Sequence, residues 1–476
     1  MTSRKGVLVA ALLAASAPAH AEFSQLSDAE IAARVQTVVE QVMARPEAVG
    51  LSIAVAKDDH VIIDEGVGKA DLEWNVPADE TSVFRIGSVT KQFTAAAIMQ
   101  LVEAGKLALD DPLSKYVPEF DSGGRTITIR QLLNHASGIP NYTVQPGFFA
   151  KSAPLDLTDE QLLESVKGVD FDFEPGSNWN YSNTGYYLLG MVVAKASGEP
   201  YPDYVRTHLF QPLGLTHTYY GGERPIIPHR AQGYSYDPST ETFSNDPNIS
   251  MNVPGAAGAL SSTAGDLVRW QIALTGGKAV SPASYQQMIT STVPTGQGDS
   301  RYGFGLIMAG QGDETRITHT GGINGFNSIL TYIPAKHMRV SVISNSEGLP
   351  SGAVENLIMG ALTGDGTIPD VRTSAALASE PALRKLIAGT AAGEPDYEAL
   401  TPPMQNLTRQ QLPQLKGIFD ELGAVKDVAF KSVDLGGADT FRVTFERGAA
   451  DFSIIVDEEG KVASVNFRPV GPPPAP

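Results

Sequence analysis

The chain has 476 residues, a hydrophobic fraction of 42%, a formal net charge of −18 and a pI near 4.9. That length and apolar content suffice for one large domain and a smaller one and exclude a disordered chain, while the acidic balance, with no stripe of Lys and Arg, argues against a nucleic-acid partner. The absence of cysteine removes disulfides, thiolate nucleophiles and Cys-based metal sites, so any catalysis falls to hydroxyl, carboxylate, imidazole or amine groups.

The first residues read as an export signal: Arg4 and Lys5, an apolar run over 6–15, then the small residues of Ala19-His20-Ala21 with cleavage expected after Ala21. The apolar run is too short to span a bilayer, and no later segment is long enough, so the mature protein is expected in the periplasm or secreted, with no integral membrane segment. Ser27-x-x-Glu30 is a capping-box signature, and Ile31, Val35, Val38 and Val39 recur at helical spacing, which predicts a first helix to about Arg45. Residues 51–57 and 60–66 read as a hairpin around Asp58-Asp59. A long helix is expected from Ser88 to Gly105, with Phe93, Ala97, Ile98, Leu101 and Val102 on its apolar face. Thr158-x-x-Gln161 opens another, residues 183–196 a third, and strands are expected between Ile317 and Ile343.

Composition shifts near residue 363, which makes 363–380 a linker that follows a large domain over 26–362. Beyond it, helical patterns near 383–387 and 412–422 precede alternating runs at Phe441, Val443 and Phe445, at Phe452, Ile454 and Val456, and over 462–467. Helices followed by an antiparallel meander predict a small α+β domain over 381–470, loosely of cystatin or NTF2 type, and the Pro-rich residues 471–476 read as a disordered tail. No partner is assigned to this domain.

Ser88-Val89-Thr90-Lys91 is the first candidate for chemistry, because residues at i and i+3 share a helix face and the lysine amine can sit beside the serine hydroxyl. A serine needs a neighbour to take its proton, and a lysine can do so when burial depresses its pKa. About one such match is expected by chance in a chain of this composition, and a helix-capping serine followed by a solvated lysine would look the same. Two further elements follow: Tyr181-Ser182-Asn183, offering a phenol and an amide, and His319-Thr320-Gly321-Gly322, whose glycines would let a substrate backbone lie along a strand edge. Each alone is matched by a blander reading, a core tyrosine at a helix start or a Gly-rich turn.

Together, in this order and spacing, the three elements resemble the serine β-lactamase and penicillin-recognising enzyme superfamily, and within it the class C β-lactamase-like branch of esterases, D-aminopeptidases and D,D-peptidases. Further stretches are similar to that branch: Phe84-Arg85-Ile86-Gly87, Leu132-Leu133-Asn134-His135-Ala136-Ser137-Gly138, Glu174-Pro175-Gly176, Gly258-Ala259-Leu260-Ser261-Ser262 and Tyr302-Gly303-Phe304-Gly305. The resemblance implies an α+β fold, an antiparallel sheet flanked by helices plus an all-helical region, with the nucleophile at their junction. It implies that Ser88 is acylated, that Lys91 and Tyr181 share the base and acid work, and that Asn183 orients the substrate. The Ser88 and Gly322 N–H groups would form the oxyanion hole, with His319, Thr320 and Gly321 beside it. No metal or organic cofactor is implied.

His319 departs from the antibiotic-hydrolysing pattern, which usually has lysine there; a histidine with an ordinary pKa near 6.5 attracts a substrate carboxylate less strongly. This favours esters, or peptides recognised at a free amine, over β-lactams. His135 reads as a structural loop histidine. No His-Glu-x-x-His or Gly-x-Ser-x-Gly motif supports a metallohydrolase or an α/β-hydrolase. Three functions stay open: a serine hydrolase of small esters or D-amino-acid amides and peptides, a β-lactamase or D,D-carboxypeptidase using the same site, and an idle protein that binds cell-wall fragments.

Overall fold

The computed structural model describes residues 23–470 apart from 146, 223–224, 238–239, 365–373 and 458. The expected signal segment and tail, and much of the linker, lie outside the described residues. The first helix, α1 (Asp28–Met43), is capped as its sequence predicts: Ser27 Oγ accepts from the Glu30 N–H, and Glu30 accepts from the Ser27 N–H at 2.8 Å. The hairpin follows as β1 (Gly50–Lys57) and β2 (His60–Asp71), with Asp58 in a left-handed conformation at the turn. The strand β2 extends past its expected end because it stays paired with β1 through Gly68 and its last residues, Lys69 and Asp71, pair with Val76–Pro77.

Four later strands complete the main part of the sheet: β3 (Ile307–Ala309), β4 (Arg316–Ile323), β5 (Phe326–Ile333) and β6 (Met338–Ser344). Among the described residues the sheet has nine antiparallel strands, running β2-β1-β6-β5-β4-β3 through its centre with short strands at both edges. The central strand β1 is buried on both faces. Leu51, Ile53 and Val55 pack with Ile31, Val35 and Val38 of α1, and with Val354 and Ile358 of the helix Ser351–Thr363. On the other face Ala54 and Ala56 join a second core that contains the helix following Ser88.

That helix, α2 (Thr90–Glu103), packs against α3 (Asn183–Ser197) and, through Phe93 stacked on Trp270, against the helix Ala264–Thr275 that covers this face of the sheet. The amphipathic face expected of α2 is too modest a description, because the helix is buried nearly all round. Its polar residues therefore find internal partners: the Trp270 indole donates to Gln92 at 3.2 Å, and Thr94 donates to the Ala256 carbonyl at 2.6 Å. The start also differs, since Gly87–Val89 form a 3₁₀ turn ahead of Thr90.

The C-terminal part contains the helices Ser379–Ala392 and Pro402–Leu422, then a four-stranded antiparallel meander whose inner face, including Phe441, Val443, Phe445, Phe452 and Ile454, packs against them. Its first strand, Val425–Val433, was not expected, because only Val428 and Val433 are buried and charged residues interrupt the alternation. This unit touches the rest of the chain beside α1, where the Arg45 guanidinium donates to the Val433 carbonyl at 3.0 Å and Leu435 joins the α1 core. Among the described residues no helix is long and apolar enough to cross a membrane.

Candidate active site

Ser88 is partly exposed in the 3₁₀ turn before α2, while Lys91, one turn on, is fully buried. The Lys91 Nζ lies 3.1 Å from Ser88 Oγ, 2.8 Å from Asn183 Oδ1 and 2.8 Å from the Ala257 carbonyl oxygen. Burial penalises the charged form of the Lys91 amine and pushes it well below the usual lysine range. A neutral amine has two N–H bonds and one lone pair. Asn183 and Ala257 each present only an acceptor to it, which leaves the lone pair for the Ser88 hydroxyl.

Tyr181 lies beside the same pair, its ring centroid 4.7 Å from Lys91 Nζ, and Ser88 is near enough to influence its phenol. Burial raises its phenol above the ordinary tyrosine range, while the Ser88 contact opposes that shift. The phenol is therefore protonated and can donate to the serine oxygen. Tyr181 is presented by the turn into α3, whose N-cap Ser182 accepts from the Gly185 N–H at 3.3 Å. Asn183 is the first residue of α3, and its amide nitrogen is held by Thr143 at 3.3 Å.

The fourth strand reaches this group because two glycines allow it. A Cβ at Gly321 would lie 2.0 Å from the Ile86 carbonyl oxygen and 2.4 Å from Ser328 Oγ, and one at Gly87, whose φ is 47°, would lie 3.0 Å from the Gly322 nitrogen. The turn bearing Ser88 is thus pressed onto β4 with Gly322 beside it. Gly321→Ala is expected to force these segments apart, lowering stability by about 1–3 kcal/mol and kcat/KM by about 100-fold or more; urea unfolding and initial rates measure the two losses. Strand β3 pairs with β4 only through Arg316, Ile317 and Thr318, so the β4 edge from Thr320 to Ile323 has no strand partner among the described residues. Thr320 is exposed along that edge.

His319 is placed differently from its neighbours. Its ring is buried; Nδ1 donates to the Thr320 carbonyl at 2.6 Å, and Nε2 accepts from the Tyr302 hydroxyl at 2.8 Å. Burial and the nearby Lys91 amine push it down to about 3, against the Thr320 hydrogen bond. It is neutral across the physiological range, and the sequence could not show that both nitrogens are already engaged. His135 is also buried, and it packs within the same group of aromatic rings.

The cleft over Ser88 has a cavity volume of about 120 Å³. Beside Ser88, Asn183 and Gly322 it is bounded by Tyr142, Phe148, Phe149, Ile249, Val253 and Ile323, and among its described lining residues none is charged. Sequence reasoning missed this apolar wall, as well as Ala257, whose contribution is a backbone carbonyl without a side-chain signature. Tyr302 stood in a recognised stretch, but nothing in the sequence tied it to His319.

A family model described as Beta-lactamase matches residues 35–363. A penicillin-binding protein of Bacillus subtilis (strain 168) is 32% identical over 314 residues, which cover 62% of this chain and 68% of that protein. Among solved structures, a D-stereospecific amidohydrolase from Streptomyces sp. is 28% identical with a TM-score of 0.61, covering 69% of this chain and 97% of its own. EstCE1, described as a hydrolase with promiscuous acyltransferase activity, is 25% identical with a TM-score of 0.63, covering 71% and 99%. The chain belongs to the beta-lactamase family and is a serine hydrolase of that fold.

Proposed function

We propose that the protein is an exported serine esterase that works through an acyl-enzyme on Ser88. In this reading Lys91 takes the Ser88 proton as the hydroxyl attacks an ester carbonyl, and the Ser88 and Gly322 N–H groups hold the oxyanion. Tyr181 relays a proton to the departing alkoxide, Asn183 orients the substrate, and water releases the acyl group with the roles reversed. Export to the periplasm or medium rests on the basic, apolar and small-residue pattern of the first 21 residues.

The observation that carries the ester reading is the uncharged, largely apolar lining of the cleft. A penicillin or a D-alanyl-D-alanine terminus brings a carboxylate, and a D-aminopeptidase substrate brings an ammonium group. Either would have to shed water without a charged partner, at a cost of several kcal/mol. The buried, neutral His319 offers no cation. D-amino-acid amides are the second reading, supported by the likeness to the D-stereospecific amidohydrolase.

Initial rates on a short-chain nitrophenyl ester, the corresponding hemisuccinate ester, a D-alanine nitroanilide and a chromogenic cephalosporin test this ranking. The neutral ester is expected to have the highest kcat/KM, about tenfold or more above its anionic analogue. Faster turnover of the cephalosporin would move the assignment to a β-lactamase, and faster turnover of the anilide to an amidase.

A further inference from the structure

His135 holds the chain on both sides of Tyr181. Its carbonyl accepts from the Asn180 N–H at 3.1 Å, and its Nδ1 accepts from the Ser182 N–H at 3.2 Å. Its ring centroid lies 4.4 Å from that of Tyr181, with the two ring planes tilted by 45°. A single residue thus fixes the backbone before and after the phenol and supports the ring itself.

Two features show that this arrangement is demanding. His135 has a φ of 59°, the left-handed region that few side chains adopt without strain, although His, Asn and Asp tolerate it best. With Nδ1 accepting, the ring proton sits on Nε2, which is buried and has no hydrogen-bond partner among the described residues. The ring must also stay neutral to accept. Burial enforces this by disfavouring the imidazolium, any charge on the neighbouring Lys91 or His319 would oppose it further, and the rings of Trp179, Tyr186 and Tyr302 complete its surroundings.

We propose that His135 is the positioning residue for Tyr181, setting the phenol against Ser88 and Lys91 through the two backbone hydrogen bonds and the ring contact. This rests on the acid–base role read for Tyr181 above. His135 touches neither the substrate nor the reacting atoms; it acts through the tyrosine.

The test compares His135→Leu, which removes the Nδ1 acceptor, with His135→Asn, which tolerates the same backbone conformation and offers Oδ1 where Nδ1 stands. Leucine is expected to lower kcat by about 10- to 100-fold, the size of effect a misplaced catalytic group produces, with KM changed less than about twofold. Asparagine is expected to restore most of kcat. In a Tyr181→Phe background the leucine change should cost almost nothing further, because the group it positions is gone. If His135→Leu does not fold by near-UV circular dichroism and urea unfolding, His135→Gln replaces it, since its longer side chain cannot place an acceptor at the same point.

Wild-type kcat in His135→Leu, equal damage from asparagine and leucine, or full additivity with Tyr181→Phe would each overturn the proposal. Tyr181→Phe alone separates the two readings: if it leaves the rate unchanged, the role given to Tyr181 fails, whatever His135 does.

Discussion

Ser88→Ala is expected to lower kcat by about 10⁴-fold or more while leaving the fold intact, because the loss of a nucleophile removes the covalent route and leaves only binding and oxyanion stabilisation. The Ser88 side chain caps no helix and is partly exposed, so its removal costs little packing. Lys91 keeps its bonds to Asn183 and Ala257. Rates on the neutral ester with a matched urea midpoint would separate this outcome from misfolding; retention of wild-type turnover would remove Ser88 from the mechanism.

Lys91→Met should also be damaging to activity, by about 10²- to 10⁴-fold for a lost general base, with only a small effect on stability. The methionine fills a similar volume and relieves the cost of burying an amine, but strands the Asn183 and Ala257 oxygens. These terms oppose each other, and a net change under about 2 kcal/mol is expected. The pH dependence has a definite sign. Lys91 is depressed in the folded protein, so between its folded value and the ordinary lysine value the unfolded chain binds more protons. Wild-type stability relative to the methionine variant should therefore rise with pH through that window, and be lost as pH falls through the folded value. Turnover by the wild type should fall in the same direction, since protonation of Lys91 removes the base. His319, at about 3 in the folded protein, adds no step to turnover near pH 6.5, while its unfolded-state titration lowers the stability of both proteins alike as pH falls from about 6.5 toward 3. Urea midpoints and kcat/KM measured as functions of pH read both effects.

Much of this site was legible in the sequence because its parts are side chains at fixed local spacings. Ser88 and Lys91 are a turn apart, Tyr181 and Asn183 bracket a helix cap, and Gly321 and Gly322 mark a place where backbones meet closely. Local signals also placed α1, the first hairpin and α3 to within a few residues. What escaped depends on long-range packing. The Ala257 carbonyl reaches Lys91 from 166 positions away, and the burial of His319 follows from Tyr302 on another part of the sheet. The full burial of α2 could not be read from its own periodicity, because its outer face is covered by residues such as Tyr201 and Trp270. The strand Val425–Val433 was hidden for the converse reason, as a half-exposed edge has little apolar alternation.

The most direct test of the account is to treat the protein with an uncharged alkyl fluorophosphonate and map the adduct by peptide mass spectrometry. The account predicts a single stoichiometric adduct on the peptide that contains Ser88, formed in step with the loss of esterase activity and absent from Ser88→Ala. Loss of activity with the adduct on another residue, or full activity with Ser88 modified, would contradict it.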